Sequence, residues 1–237
     1  MIFILLALAI APGLAICVYI FFKDKFEKEP LHVLAKCFFL GVFSALPALG
    51  LGELADYFFP ITNTSASIAL DAFVYIAFME EFCKYAVLRG YAYNKPSFNE
   101  PYDGIMYSVM IAMGFATIEN IIYVLENGLL VAIVRMLTAV PAHATFGILM
   151  GYYVGLAKFK SGNKLPYLLL GLFSAIFLHG IYDFCLIMYV DKYQFLLFGA
   201  LLSLISGLFL SKKAIALHNQ NSPFKPNEVQ TTKQPLS

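Results

Sequence analysis

Charged side chains are scarce in this chain of 237 residues: only 13% are Asp, Glu, Lys or Arg, whereas 60% are hydrophobic. Soluble globular domains contain about 25% charged residues, so the composition excludes an ordinary soluble fold and makes the lipid bilayer the expected solvent. The formal net charge is only +1, and no Lys/Arg-rich block occurs. Nucleic acid is therefore not an expected partner.

Paired cysteines are also absent. Cys17, Cys37, Cys83 and Cys185 are widely separated and lie inside apolar runs. This spacing excludes a zinc knuckle and a redox dithiol, both of which need closely spaced cysteines. We interpret the four thiols as packing or lipid-facing groups.

Long apolar runs dominate the sequence, and each is long enough to cross a bilayer, which takes about 20 residues. The runs cover approximately residues 2–22, 33–52, 66–89, 104–126, 129–157, 165–190 and 194–211. The sequence therefore predicts an all-α polytopic bundle of about seven transmembrane helices within residues 1–213. Residues 214–237 are polar and rich in Pro, Asn and Gln, and are predicted to form a disordered cytosolic tail.

Basic residues are concentrated in alternate predicted loops. They are Lys23, Lys25 and Lys28 in the first loop, Arg89 and Lys95 in the third, Lys158, Lys160 and Lys164 in the fifth, and Lys212 and Lys213 after the last span. Since cytoplasmic loops carry an excess of Lys and Arg, this pattern predicts an outside N-terminus and a cytosolic C-terminus. The expected location is the cell membrane.

Several ionisable residues lie inside the predicted spans. They are Glu80, Glu81, Lys84, Glu119, Arg135, His143, His179 and Asp183, with Asn120 as an uncharged companion. One unpaired charge at the bilayer centre costs about 3 kcal/mol, so six or more would cost on the order of 20 kcal/mol. This exceeds a typical folding stability of about 5–15 kcal/mol. These side chains are therefore expected to converge in the bundle interior.

Helical spacing supports this convergence. Small residues share a face with each histidine: His143 with Gly147, Gly151 and Gly155, and His179 with Gly171 and Ala175. Asp183 lies on the same face as His179. Both imidazoles should thus face neighbouring helices rather than lipid. At about 1.5 Å rise per residue, Glu119, His143 and His179 share one layer, roughly 20–24 Å from the predicted cytosolic ends, with Glu80 close by. Two imidazoles and a carboxylate form a reasonable zinc ligand set that leaves a position for water.

Four segments carry a resemblance to a known family: Glu80–Lys84, Phe115–Asn120, His143 with Gly147, and His179–Phe184. In this order, in successive spans, they resemble the PrsW-type membrane proteases, which belong with the CAAX prenyl protease and bacteriocin-processing group of glutamate-dependent intramembrane peptidases. The resemblance implies a protease that cuts a membrane-anchored protein substrate. The best-described members make the first cut in membrane-bound anti-sigma factors.

The resemblance also implies roles for the acidic pair. In the wider group the first glutamate activates water, and later histidines stabilise the reacting carbonyl or hold a metal. The wider group often has His at the position of Glu119 and a basic residue one place after Lys84, so ligand roles transfer less directly. Glu80 is the predicted base; the alternative is that it only pairs with Lys84 to fasten helices. Glu81 is expected to orient Glu80, and Lys84 to balance the charge.

The remaining polar residues keep several interpretations. Three roles stay open for His143 and His179: zinc binding, hydrogen-bond donation to the oxyanion, or a link between helices. Glu119 is a ligand if a metal is present. Asp183, one turn after His179, is expected to fix the tautomer of that ring. Asn120 offers an amide to the oxyanion or packs between helices. Arg135 is expected to extend to the outer interface.

Other protease signatures are missing. The chain has no His-Glu-x-x-His motif of zincins, no Gly-x-Gly-Asp partner for an aspartyl protease, and no Gly-x-Ser-Gly segment of a rhomboid-like serine protease. The main competing class is a proton-coupled transporter or ion channel that uses the same Glu, His and Asp network as a relay. Inverted repeats would favour that class, and the sequence shows no convincing internal symmetry.

Overall fold

A computed structural model describes residues 2–191 and 193–226, which are almost entirely helical and contain no strand. The helices are α1 (Ile2–Lys23), α2 (Leu31–Phe58), α3 (Ser65–Leu70), α4 (Met79–Val87), α5 (Pro101–Leu137), α6 (Ala139–Phe159), α7 (Leu165–Asp191) and α8 (Leu197–Gln220). Two π-helical stretches, Asp71–Phe78 and Leu88–Ala92, flank α4, and a 3₁₀ turn, Gln194–Leu196, precedes α8. The predicted all-α architecture is confirmed for these residues.

Five helical stretches of the described chain are long and apolar enough to cross a bilayer. They are Ile2–Lys23, Leu31–Phe58, Pro101–Phe159, Leu165–Val190 and Gln194–Gln220. This number is lower than the predicted value of about seven for two reasons. The stretch Pro101–Phe159 joins two predicted spans, and the helical segment from Ser65 to Ala92 carries three charges around Glu80.

The chain reverses direction inside α5. Gly128 has φ 78° and ψ −161°, a conformation that is essentially restricted to glycine. After it, the chain returns antiparallel to the first part of α5, so that the Arg135 side chain reaches Asn120 and Gly151 of α6 packs on Gly104. The predicted break between Glu126 and Gly128 therefore lies at the observed turn.

The first half of α5 is the central element of the bundle. Every residue from Pro101 to Thr117 is buried, because α1, α2 and α6 all pack against this helix. Contact is at the backbone level: a Cβ atom on Gly41 of α2 would lie 2.1 Å from the Ile111 carbonyl oxygen. Towards α6, a Cβ atom on Gly151 would lie 2.2 Å from the Gly104 carbonyl oxygen. The small-residue stripe of α6 thus faces a helix, as its spacing predicts.

The ends of several helices meet on one side of the bundle. The Asn219 amide of α8 donates a hydrogen bond of 3.2 Å to the Lys23 carbonyl oxygen at the end of α1. The Lys158 ammonium near the end of α6 donates one of 2.5 Å to the Tyr93 carbonyl oxygen, which follows the second π-helical stretch. The segments that contain most of the basic loop residues therefore lie together on the same side.

A buried carboxyl group also lies on this side, between α1 and α2. The Tyr107 hydroxyl donates a hydrogen bond to the Glu29 carboxylate, and Glu29 is only 3% exposed. Burial, together with the neighbouring Asp103 carboxylate, raises the pKa of Glu29 to about 9.

Helix α8 extends past the predicted domain boundary at residues 213 and 214. It continues to Gln220 because its last turns pack on other helices: Ala214 is buried, and the His218 ring stacks on Tyr152 with a centroid distance of 4.4 Å. The predicted start of a disordered tail at residue 214 is therefore wrong for residues 214–220. Residues 227–237 of that tail lie outside the described residues.

Candidate active site

Helix α4 provides the first three polar groups of the site. The Lys84 ammonium donates to Glu81 Oε1 at 2.7 Å and to Glu80 Oε2 at 3.2 Å, one helical turn earlier. Glu81 and Lys84 are almost completely buried, whereas the Glu80 side chain is 14% exposed. Of the two adjacent carboxylates, Glu80 is thus the one that is accessible.

His143 of α6 connects this cluster to α5. Its Nδ1 lies 3.2 Å from the Lys84 Nζ, and its Nε2 lies 2.8 Å from Glu119 Oε2. Because an ammonium group only donates, Nδ1 must accept from Lys84, and the proton of a neutral ring then lies on Nε2. Glu119 accepts that proton's hydrogen bond and so fixes both the tautomer and the ring orientation.

His179 of α7 has a matching arrangement. Its Nδ1 lies 2.9 Å from Glu81 Oε1, and its Nε2 lies 3.1 Å from Asp183 Oδ2. Asp183 therefore contacts Nε2 of His179 in the same way that Glu119 contacts Nε2 of His143. This is the contact that was predicted for Asp183.

Aromatic rings pack around the polar groups. The Phe146 ring stacks on His179 with a centroid distance of 4.8 Å, and the two imidazoles lie edge to face at 5.2 Å. The Lys84 ammonium lies 4.0 Å from the centroid of the Phe115 ring. These contacts restrict the side-chain rotamers and lower the local dielectric, which strengthens the ionic contacts of the cluster.

Arg135 is part of the same network, so the predicted extension to the outer interface is wrong. Its Nη2 lies 3.1 Å from Glu119 Oε1, and its Nε donates to Asn120 Oδ1 at 2.9 Å. The reversal at Gly128 explains this placement, because it aligns the start of the returning helix with the last turns before the reversal. No sequence motif indicated the contact; the Asn-Gly pair at the reversal was the available signal.

Asn120 lies at the edge of the network rather than in the cavity. Its amide nitrogen donates to the Ala9 carbonyl oxygen of α1 at 3.1 Å, while its oxygen accepts from Arg135. The residue is fully buried between helices. These contacts match the packing interpretation of Asn120.

Four side chains form a group that could hold a metal ion. Glu80, Glu81, His143 and His179 each offer one ligand atom, and all these atoms lie within 4.8 Å of one another. Glu119 was predicted as the third ligand, but its two oxygens bind His143 Nε2 and Arg135 instead. The depth estimate placed Glu119 near His143, but it did not show that Glu119 contacts Nε2, the ring nitrogen that points away from Lys84.

The donor set fits a metal. Glu81 Oε2 is buried and has no hydrogen-bond partner among the described residues. Imidazoles and carboxylate oxygens are typical ligands of zinc. A carboxylate at the second nitrogen of each imidazole is also typical of zinc sites.

A cavity of about 550 Å³ lies directly beside this cluster. Its polar lining includes Glu80, Glu119, His143, His179 and Asp183, and most of the remaining wall is apolar. This volume is within the range of sites that bind small ligands or peptide segments. The cavity thus combines apolar walls with a few convergent titratable groups.

A helical membrane bundle that encloses carboxylates and imidazoles beside a cavity has the architecture of an intramembrane hydrolase. Comparison with known proteins gives the same class: residues 29–210 match the family described as PrsW family intramembrane metalloprotease. The chain belongs to this family, as its motifs indicated. It is a membrane protein and a membrane peptidase, and the transporter alternative is not favoured.

The relatives are similar over most of their length. Protease PrsW of Geobacillus kaustophilus is 40% identical over 185 residues, covering 78% of this chain and 80% of the relative. Protease PrsW of Bacillus subtilis is 36% identical, covering 78% and 83%. Protease PrsW of Clostridioides difficile is 38% identical, covering 77% and 79%. No solved structure matches the chain.

Proposed function

We propose that Glu80 is the base that activates water for hydrolysis of a peptide bond in a membrane-anchored protein. The observation that carries this proposal is the difference between the two adjacent glutamates. Glu80 lines the cavity, whereas Glu81 is 1% exposed and its Oε1 is engaged by both Lys84 and His179. A general base must reach the water that attacks the substrate, and Glu80 has that access.

The other groups of the network support this reaction. Lys84 contacts both glutamates, so it compensates for their charge in a low-dielectric site. His143 and His179 line the cavity, and their Nε2 atoms contact the carboxylates of Glu119 and Asp183. These contacts fix the orientation of both rings towards the cavity, which is what a metal ligand requires.

The family description implies a metal, and zinc is the metal that this donor set suits. Glu81, His143 and His179 would hold it, which leaves Glu80 as the base. A bound zinc ion would polarise the carbonyl group of the substrate.

We also propose a multi-pass topology of seven crossings in the cell membrane. Two crossings arise from Pro101–Phe159, because the chain reverses at Gly128, and one arises from the helical segment of α3, α4 and the π-helical stretches. The clustering of the ends near Lys23, Tyr93 and Lys158 supports a common cytosolic side, as do the alternating basic loops. The N-terminus is then outside and the C-terminus cytosolic.

The substrate class follows from the family resemblance and the cavity. Apolar walls and an in-membrane position favour a protein anchored by a single transmembrane helix, and anti-sigma factors are the substrates that the resemblance implies. Cleavage of such a protein is a step of regulated proteolysis.

The proposal is tested with purified protein in liposomes together with candidate single-span substrates. Glu80→Gln should lose cleavage by about 10²–10⁴-fold, since it removes a general base while keeping the shape of the side chain. Glu126→Gln, at the exposed turn, is the matched control and should cleave normally. Normal cleavage by folded Glu80→Gln would overturn the assignment of the base. Ion flux without cleavage by the wild type would instead favour a transporter.

A further inference from the structure

A second cavity, of about 470 Å³, lies at the ends of α1 and α8, away from the active site. Four of the residues that line it are lysines from separate parts of the chain: Lys23 ends α1, Lys25 follows that helix, Lys212 lies in α8, and Lys225 follows α8. The hydrogen bond between the Asn219 amide and the Lys23 carbonyl oxygen joins the two helices at this cavity. Lysines that are far apart in the sequence therefore share one concave site.

The positive charge of this site is not neutralised within the described part of the chain. No Asp or Glu lines the cavity, and none of the four lysines forms a salt bridge with a described residue. The carboxylate between Lys23 and Lys25 in the sequence, Asp24, is buried and interacts with Lys28, which does not line the cavity.

The helix ends offset only part of this charge. Both α1 and α8 end at the cavity, and each helix C-terminus contributes about half a negative charge. About three of the four positive charges are therefore left without compensation, and like charges in one cavity repel each other. An anion is the ligand that relieves this repulsion.

Apolar surface continues from the cavity along both helices. Tyr19, one turn before Lys23 in α1, lines the cavity and is exposed, and Leu208, one turn before Lys212 in α8, is also exposed. Because residues four apart are stacked along a helix, each apolar side chain lies on the same helix face as its lysine. The surface therefore matches a ligand that combines an anionic head with an apolar tail.

We propose that the basic cleft, formed by Lys23, Lys25, Lys212 and Lys225, binds the phosphate group of an anionic phospholipid. A lysine ammonium is a point charge with three donors, so it binds phosphate oxygens without a fixed geometry. In the proposed topology the basic cleft lies at the cytosolic surface of the membrane, where anionic headgroups are present. Binding there does not require the protease chemistry, because the basic cleft shares no lining residue with the active-site cavity.

The test measures lipid binding to delipidated full-length protein in a neutral detergent, with native mass spectrometry as the readout. Each lysine near an anionic group contributes about fivefold to binding, so three uncompensated charges should favour phosphatidylglycerol over zwitterionic phosphatidylcholine by roughly 100-fold. The double variant Lys23→Gln/Lys212→Gln should weaken phosphatidylglycerol binding by about 25-fold and leave phosphatidylcholine binding unchanged. All four lysines are exposed, so the variants should fold, and Lys25→Gln/Lys225→Gln is a second pair with the same expected loss.

Lys160→Gln/Lys164→Gln is the matched control, because both lysines are exposed and lie outside the basic cleft. It should bind phosphatidylglycerol like the wild type. An equal loss in this control and in the cleft variants would assign the effect to general surface charge and overturn the site, as would equal affinity of the wild type for the two lipids. Excess inorganic phosphate should not displace the lipid, since it has no apolar tail; complete displacement would make free phosphate the ligand and contradict the lipid assignment.

Discussion

Replacement of Gly151 by alanine tests the contact between α5 and α6. The new Cβ atom would lie 2.2 Å from the Gly104 carbonyl oxygen and 2.7 Å from the Ile105 Cα, whereas ordinary contacts lie at 3.4–4 Å. Both atoms belong to the backbone, so no side-chain rotation relieves the clash, and the helices must separate locally by about 1 Å. Overpacking of this kind costs about 1–3 kcal/mol.

The separation should also affect catalysis. The bond of 2.8 Å between Glu119 and His143 joins the same two helices, so its geometry depends on their spacing. Gly151→Ala should therefore lower both the unfolding temperature, by several degrees, and the rate of cleavage at temperatures where the protein is folded.

The assay is thermal unfolding in detergent, combined with cleavage of a reconstituted substrate. Gly90→Ala is the matched control: no atom lies within 4 Å of its Cβ position, so the change should be neutral or stabilise the helix by up to about 1 kcal/mol. If Gly151→Ala unfolds and cleaves like the wild type, the described backbone contact and the reasoning from it are wrong.

Three further changes have distinct expected outcomes. Asp183→Asn should lower activity by about 10–100-fold without abolishing it, because it loosens the orientation of His179; kcat measurements check this, and an unchanged kcat would contradict it. Arg135→Gln should lower activity by a similar factor because it releases Glu119. Arg135→Lys keeps a positive charge at this position and should lower the activity less. Glu29→Gln concerns pH. Because the folded pKa of Glu29 is raised to about 9, the wild type loses stability as pH rises from the unfolded pKa near 4.5 towards 9. The variant should match the wild type near pH 5 and be more stable at pH 7 by up to about 3 kcal/mol, which unfolding at both values measures.

The helical class and most members of the polar network, though not Arg135, were accessible from the sequence. Ionised groups inside apolar runs must pair, and periodic small residues show which faces meet; these arguments placed Glu80, His143 and His179 together. The contacts also match the expected partner of His179. The catalytic and metal-binding roles of these residues stay predictions.

Other features depended on local backbone geometry that hydropathy does not report. The position of Arg135 follows from the exact point of reversal at Gly128, and the neighbours of Glu119 follow from the same turn. The end of α8 was misplaced because its last turns carry polar residues such as His218 and Asn219, which are buried through contacts with distant helices. Composition alone assigned them to a polar tail.

The π-helical stretch Asp71–Phe78 determines the directions in which Asp71 and Glu80 point from their helical segment. In a regular α-helix, nine residues turn about 900°, so Asp71 and Glu80 would point to opposite sides. A π-helix turns only about 80° per residue, which brings the two carboxylates to within roughly 40° of each other around the axis. The wider winding thus puts Asp71 and the proposed base Glu80 in phase, and deletion of a single residue from this stretch would turn one of them away from the other.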